Sequence, residues 1–471
     1  MRPVTMLMLR RRFEVLAAIV CLWIHLPACT SQVTAASDAG VTGHDAAEGG
    51  LHSYDGPGPT DAKVPDHPVA ADAGVQILSV TTIETVTSYI ATFGTHAQKI
   101  VRTDDGLFAT YTTVLDDAPG HQWRLSRSTN GGKSWSKIYT GHGAQGPVLV
   151  ADSEQNLILF VPNKNTDDVY LLVFRRDQQY QSPKMFTIHG VACDAKFDMV
   201  YDPNWNVVHV ATQYGRFLTL NPANGQTFHD YQVYAETGST GKTQYPHVAI
   251  DKHKNIHFAM TSADKNDPTS RLYRTIQHLY ATPTSDGKLS WRKMGGAQLT
   301  LPVPPDETGS STLIIDQGEI AISSHLSSFL AKGDKVHFFY VVDGASGMYA
   351  HYKRFDFATG VVDVDISTAK QPLTGGTLSL GASGAGYFGT ADIVSGSTPV
   401  YLTASEVSGG VSSLVSHDNG TTWHDFATTG ISEATYAIGT PTHIKDGKLV
   451  GIYTSGSNGA YPVRFFGVAT P

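Results

Sequence analysis

Along most of this chain the apolar residues come in short runs, each introduced by a two-residue turn signal, and no long stretch follows the helical period. The pattern recurs as Asp105-Gly106 before 107–111, Gln155-Asn156 before 157–161, Trp205-Asn206 before 207–211 and Lys254-Asn255 before 256–260. It continues as Gly333-Asp334 before 335–341, Gly396-Ser397 before 398–404 and Asp446-Gly447 before 448–453. The markers Gly106, Asn156, Asn206, Asn255, Asp334, Ser397 and Gly447 are separated by 50, 50, 49, 79, 63 and 50 residues. A period near 50 with a strand on each side of the turn is the size of one four-stranded blade of a β-propeller. The chain is therefore read as all-β, a propeller of seven blades, with six left open.

Another apolar strand precedes each turn: 99–103, 147–151, 197–201, 247–250, 327–331, 387–393 and 442–445. The first strand of a blade is the innermost, so these strands are expected to line a central channel. The chain ends near Phe465–Ala469 with too few strands for a whole blade, while Val75–Val86 is a β-rich orphan. Pairing the two would close the ring and leave no open edge. Two segments lengthen the fourth interval, Ser262–Arg274 and Leu301–Ser324. Both belong to the face formed by loops between second and third strands and by blade connections. Long loops gathered on one rim mark that rim as the candidate binding face.

Composition agrees with many short strands and tight turns: charged residues are 16 %, aromatics 10 %, and there are 46 glycines. The first residues depart from it. Arg10–Arg12 followed by the apolar run Val15–Leu26 is read as a secretory signal spanning residues 1–28, too short to cross a bilayer comfortably. From 29 to 74 the chain is an acidic tether of Ala, Asp, Gly and Pro with almost nothing to bury. Residues 75–471 are then a single domain, mildly acidic and so a poor partner for nucleic acid. Cys193 is the one cysteine of that domain and lacks the spacing of a metal site. His209, His257 and His337 occupy equivalent places in three blades, which favours a repeated packing role over a metal site. Neither a metal nor a cofactor is implied.

Three stretches carry chemistry of the turn itself. Ser416–Trp423 fits Ser-x-Asp-x-Gly-x-Thr-Trp through Asp418, Gly420 and Trp423. Ser128–Trp135 repeats it with Asn130 and Trp135, and Thr284–Trp291 is a third copy with Asp286 and Trp291, in which Lys288 replaces the glycine. These turns resemble the Asp-box, or BNR repeat, of sialidase-like β-propellers. Leu26-Pro27-Ala28-Cys29 is similar to a bacterial lipobox, which would make Cys29 the lipidated first residue of an exported chain held at the cell envelope, with no other membrane contact.

The sialidase resemblance implies a carboxylate-binding arginine near the first inner strand and an acidic residue after the second strand. Lys99 stands where that arginine would be, and one ammonium cannot reproduce a bidentate fork. Asp116 and Asp117 are the corresponding acids. A neighbouring group of the same superfamily, the propeller polysaccharide lyases, is resembled by Tyr214 and Arg216 after one second strand and Tyr245 and His247 opening the next inner strand. In β-elimination a cation neutralises the uronate carboxylate while His or Tyr moves the proton. Arg271 and Arg274 are further candidates for an anionic sugar. Three functions stay open: a sialidase-like glycoside hydrolase, a polysaccharide lyase, and a monomeric, non-catalytic glycan- or protein-binding module.

Overall fold

The computed structural model describes residues 75–470, apart from 94–97, 116, 194–195, 236–242, 264–272, 305–311, 316–322, 345–346, 367–390, 396–398, 406–409, 431–434, 440–443 and 457–458. The signal, Cys29, the tether, Asp116, Arg271 and the marker Ser397 therefore lie outside the described residues.

Seven sheets of four antiparallel strands follow one another along the chain. Blade 1 is Ile100–Thr103, Gly106–Val114, His121–Ser128 and Ser136–Gly143. Blade 2 is Val148–Ala151, Leu157–Pro162, Val169–Phe174 and Lys184–Ile188. Blade 3 is Phe197–Asp202, Val207–Thr212, Arg216–Leu220 and Thr227–Gln232. Blade 4 is Thr243–Ile250, Ile256–Ala263, Tyr273–Pro283 and Leu289–Arg292, with Leu313–Ile315 added beside its third strand. Blade 5 is Ser323–Lys332, Lys335–Gly344, Gly347–Asp356 and Val361–Ile366, and blade 6 is Ala391–Ser395, Val400–Ser405, Val411–Ser416 and His424–Thr428. The seven-blade reading holds and the six-blade alternative falls.

Blade 7 takes three strands from the end of the chain, Thr435–Gly439, Lys448–Ser455 and Tyr461–Ala469, and its outer strand, Ser79–Val86, from the beginning. Ser79 pairs with Gly467 and Val86 with Tyr461, so the ring is closed as the orphan segment suggested. Just before it, Gln76–Ile77 runs parallel to Ala427–Thr428 on the outside of blade 6. One expectation shifts: the inner strand of blade 7 is Thr435–Gly439 rather than 442–445, and Lys445 instead bridges to Lys448 in the turn that follows.

The core lies between the blades. Each junction has its own buried cluster: Phe160 with Phe197, for example, between blades 2 and 3, and Phe465 with Ile100 between blades 7 and 1. A middle strand is covered on both faces, which is why Leu157–Pro162 is apolar throughout and buried at every position. The outer strand Lys184–Ile188 is mostly open to solvent.

The three turns anticipated from the motif all join third to fourth strands. In blade 6, Asp418 Oδ1 accepts the amides of Thr421 and Thr422 at 3.0 and 2.8 Å, and Ser416 Oγ accepts that of Gly420 at 2.6 Å. In blade 1 Asn130 and Ser128 do the same for Ser134 and Gly132. Gly132 and Gly420 both have φ above +90° and are pressed against the preceding blade of the ring, onto the Phe465 ring and the Tyr352 hydroxyl respectively. Trp135 stacks near Phe465 at 5.5 Å and Trp423 near Tyr352 at 5.4 Å, so each turn is also a contact between blades. The blade-4 copy differs. Its turn closes through Gly287 N–H to Thr284 O, Asp286 is exposed and pairs with Lys288, and only Trp291 is packed, edge-on to Phe217.

Substituting Gly420→Ala should therefore cost more than about 2 kcal/mol, because strain at positive φ adds to a clash with Tyr352. Gly287→Ala, at φ +78° with open space around it, should cost about 1 kcal/mol. Denaturant unfolding of the two variants checks the difference.

Candidate functional site

All inner strands run in the same direction, so the residues opening them share one rim, opposite the third-to-fourth-strand turns. Lys99, just before blade 1, and Tyr245, at the start of blade 4, both stand there. Their surroundings differ from what a ligand-binding pair of side chains would show. Lys99 is 1 % exposed and its ammonium donates to the carbonyls of Gly146 and Pro147 at 2.5 and 3.1 Å. Its stem lies against Gly439 so closely that any side chain there would collide with it. The lysine thus ties blades 7, 1 and 2 together at the channel wall.

Two blades further round, Asp198 projects from the middle of an apolar inner strand. Its Oδ2 accepts the amide of Val248 in blade 4 at 3.0 Å, its Oδ1 that of Met199 at 2.8 Å, and His247 Nδ1 is 4.0 Å away. The other nitrogen of His247 faces the Leu326 carbonyl of blade 5 at 3.4 Å. Burial pushes Asp198 up to about 7, against the pull of two backbone amides and of Lys99. Burial likewise lowers Lys99 to about 7, against the field of Asp198. His247 is brought down to about 4 by the same cause and is neutral at ordinary pH.

Above this layer, the second strand of blade 3 ends in the short turn Gln213–Gly215. Gln213 is buried and gripped twice by Lys196: its amide donates to Lys196 O at 2.8 Å, and its Oε1 accepts Lys196 N–H at 3.1 Å. Tyr214 follows at φ +69°, with its carbonyl held by Gln232 Nε2 at 2.6 Å. The turn packs against the opening of blade 4's inner strand, where Tyr245 also has positive φ, +51°. The Lys196 ammonium lies 5.0 Å from the centre of the Tyr245 ring. Left-handed backbone at a non-glycine residue costs about 1–3 kcal/mol and persists only where its surroundings impose it. Among the described residues the other positive-φ non-glycines all lie in turns on the opposite face. The structure thus brings Tyr214, Tyr245 and His247 into one neighbourhood at the junction of blades 3 and 4. Tyr214 is half-buried and reachable; Tyr245 and His247 are buried beneath the surface.

The remaining candidates stand elsewhere. Arg216 is on the same rim but turned outward, its fork closed on Asp230 at 2.7 and 2.5 Å and its third nitrogen on Gly190 O. Asp117 sits at the outer end of blade 1 with Gln122 at 3.3 Å and His142 at 3.2 Å. The nearby guanidinium of Arg124 is paired with Glu84. Arg274 lies at the start of blade 4's third strand, its side chain outside the description. His209, His257 and His337 each bond within their own blade, to Asp202 and Thr219, to Asp251 and His278, and to Tyr352. Cys193 is buried with Sγ 3.9 Å from Lys196 O. Among the described residues no group of side chains is arranged to hold a metal.

Lys196 and Asp198 were passed over in the sequence, although signals existed. Lys196 precedes its inner strand just as Lys99 does, and Asp198 interrupts an otherwise apolar run.

No protein-family model matches the chain, and no curated protein does either. Solved structures do match in fold. An ulvan lyase of polysaccharide lyase family PL25 superposes with TM-score 0.60 at 10 % identity, over 82 % of this chain and 95 % of its own. The same enzyme bound to -[GlcA(1-4)Rha3S]- gives 0.60 at 11 %, over 82 % and 95 %. The polysaccharide lyase Uly1 gives 0.53 at 10 %, over 80 % and 90 %. At this identity the likeness establishes a shared propeller architecture.

The buried acid has a measurable consequence. A carboxyl raised in the folded state binds more protons folded than unfolded between pH 4 and 7, so it costs stability as pH rises through that window. Asp198→Asn removes this penalty. Its melting temperature relative to the wild type should climb from pH 4 to pH 7, as checked by thermal unfolding at both values.

Proposed function

We propose that this protein is a glycan-active propeller of the sialidase-like class, and that its reaction is β-elimination in uronate-containing polysaccharides. The observation that carries this reading is the convergence of two backbone-strained tyrosines, Tyr214 and Tyr245, with His247 at one rim junction. The hydrolase alternative needs arginines converging on an acid, whereas Asp117 has Gln122 and His142 beside it and Arg124 is spent on Glu84. The architecture shared with two polysaccharide lyases supports the same choice, and the turns of blades 1 and 6 support membership of the Asp-box group.

In this reading the uronate ring lies over the rim with C5 towards Tyr214. Tyr214 is the accessible phenol and handles the proton removed from C5 or delivered to the leaving glycosidic oxygen. The electron pair of the C5–H bond forms the C4–C5 double bond as the C4–O bond breaks. His247 and Asp198 form the polar floor beneath, where a neutral imidazole adds no charge to compete with the substrate. The Leu26–Cys29 sequence supports export and attachment through a lipid on Cys29, with the propeller presented on an acidic tether.

Incubating the full chain with a panel of uronate polysaccharides and sialosides separates the readings. The lyase reading expects new ultraviolet absorbance from an unsaturated product with uronates and none with sialosides. Tyr214→Phe should lower that rate by about 10²-fold or more, the usual worth of a positioned proton-transfer group, with an unchanged melting temperature. New reducing ends without the absorbance would instead indicate a hydrolase, and binding without cleavage a glycan-binding module. Cys29→Ser should move the protein from the membrane fraction to the soluble one, followed by blotting.

A further inference from the structure

The turn that carries Tyr214 lies outside the ladder of its own blade. Pairing between the second and third strands of blade 3 ends at Thr212 and Arg216, so the carbonyls of residues 213–215 need partners from elsewhere. Gln213 O takes the Thr212 hydroxyl at 2.9 Å, and Gly215 O takes the amides of Val233 and Tyr234 at 2.8 and 3.2 Å. Tyr214 O takes a side chain from the outer strand, Gln232 Nε2 at 2.6 Å, and the same nitrogen donates to Tyr234 O at 2.7 Å. That strand is itself pinned beside the turn. Arg216, which faces Gln232 across the ladder, closes its fork on Asp230 and its third nitrogen on Gly190 O.

Resting on the lyase reading above, we infer that Gln232 is a positioning residue for that reaction: it aims the Tyr214 phenol by fixing the peptide between Tyr214 and Gly215. Three features converge on it. Tyr214 stands at φ +69° and ψ +13°, a conformation that a tyrosine keeps only where its surroundings impose it. The direction of its Cα–Cβ bond, and so of the phenol, is set by that backbone; released to negative φ, the side chain would leave from a different angle. Second, the two hydrogens of the Gln232 amide serve two carbonyls on two segments, 214 and 234, which makes the side chain a cross-brace between the turn and the chain leaving the blade. The brace spans a tight contact, because Gly215 follows at φ +70° and a Cβ there would come within 2.7 Å of Tyr234 Cβ. Third, Gln232 is exposed and outside the buried clusters, so its loss changes the aim of Tyr214 without opening the core.

The test compares wild type, Gln232→Met and Gln232→Lys, all as full chain, with melting temperatures as a control for folding. Methionine keeps the length of the side chain and removes the donor; lysine keeps a donor at that reach. Initial rates of unsaturated product are measured on the uronate polysaccharides of the same panel and separated into kcat and KM. Gln232→Met should lower kcat about 10- to 100-fold, the effect of displacing a reacting group by about an ångström, with KM and melting temperature unchanged. Gln232→Lys should restore most of kcat, a rescue that a general packing role does not give. Wild-type kcat in Gln232→Met would overturn the assignment and leave the lyase reading intact. A raised KM at unchanged kcat would also overturn it, by making Gln232 a substrate contact. So would a joint fall in kcat and melting temperature that lysine does not restore, by making the bond a support of the fold alone. No unsaturated product from the wild type on any uronate would overturn the lyase reading and the assignment with it.

Discussion

Ring closure is the constraint on which everything else depends. A blade buries nothing by itself: each of its faces finds apolar cover only on the neighbouring blade, and a first and last blade would each leave a face bare. The chain avoids this by lending Ser79–Val86 to the three strands at its other end, so that blade 7 has four strands and packs on blade 1. The junction between first and last blades is then built like the others, with Ile100, Leu107, Val450 and Phe465 in one cluster. Gly132 of blade 1 seated on Phe465 of blade 7 adds a turn to the same seam.

The same geometry makes the site. Seven inner strands pointing one way bring their opening residues to a common rim, where polar side chains from different blades meet without being neighbours in sequence. Asp198 takes an amide from blade 4, His247 reaches a carbonyl of blade 5, and Lys99 spans from blade 7 to blade 2. These are interblade staples before they are anything else, and their burial explains why all three depart from their ordinary titration. The layer above holds the turn that carries Tyr214, clamped to the main chain of Lys196.

Repeat spacing and turn chemistry were enough to favour seven blades over six, and to read the closure by the two ends and the side of the ring on which the Ser-x-Asp-x-Gly-x-Thr-Trp turns lie. These properties are local or periodic: a glycine at positive φ, an amide-capping aspartate and an apolar run covered on both sides leave their mark residue by residue. The reading slipped in blade 7 although its marker keeps the 50-residue spacing: its inner strand lies at Thr435–Gly439, and 445–448 is taken up by the tight turn.

The site was legible only in residue type. Tyr214, Tyr245 and His247 could be named because they flank strands, yet nothing in the sequence distinguishes Arg216, which Asp230 claims from a strand away, from a guanidinium facing the channel. Nor does it tell that Lys99 is sealed while Lys196, at the same offset before its own strand, is only partly buried. Charge neutralisation, burial and mutual distance depend on which blades stand side by side. The sequence by itself determined an all-β closed ring of repeated blades, seven favoured over six, and the face on which to look. Only the tertiary structure decided which side chains on that face are spent on holding the ring, as Lys99 and Arg216 are, because that choice is made by contacts between residues tens to hundreds of positions apart.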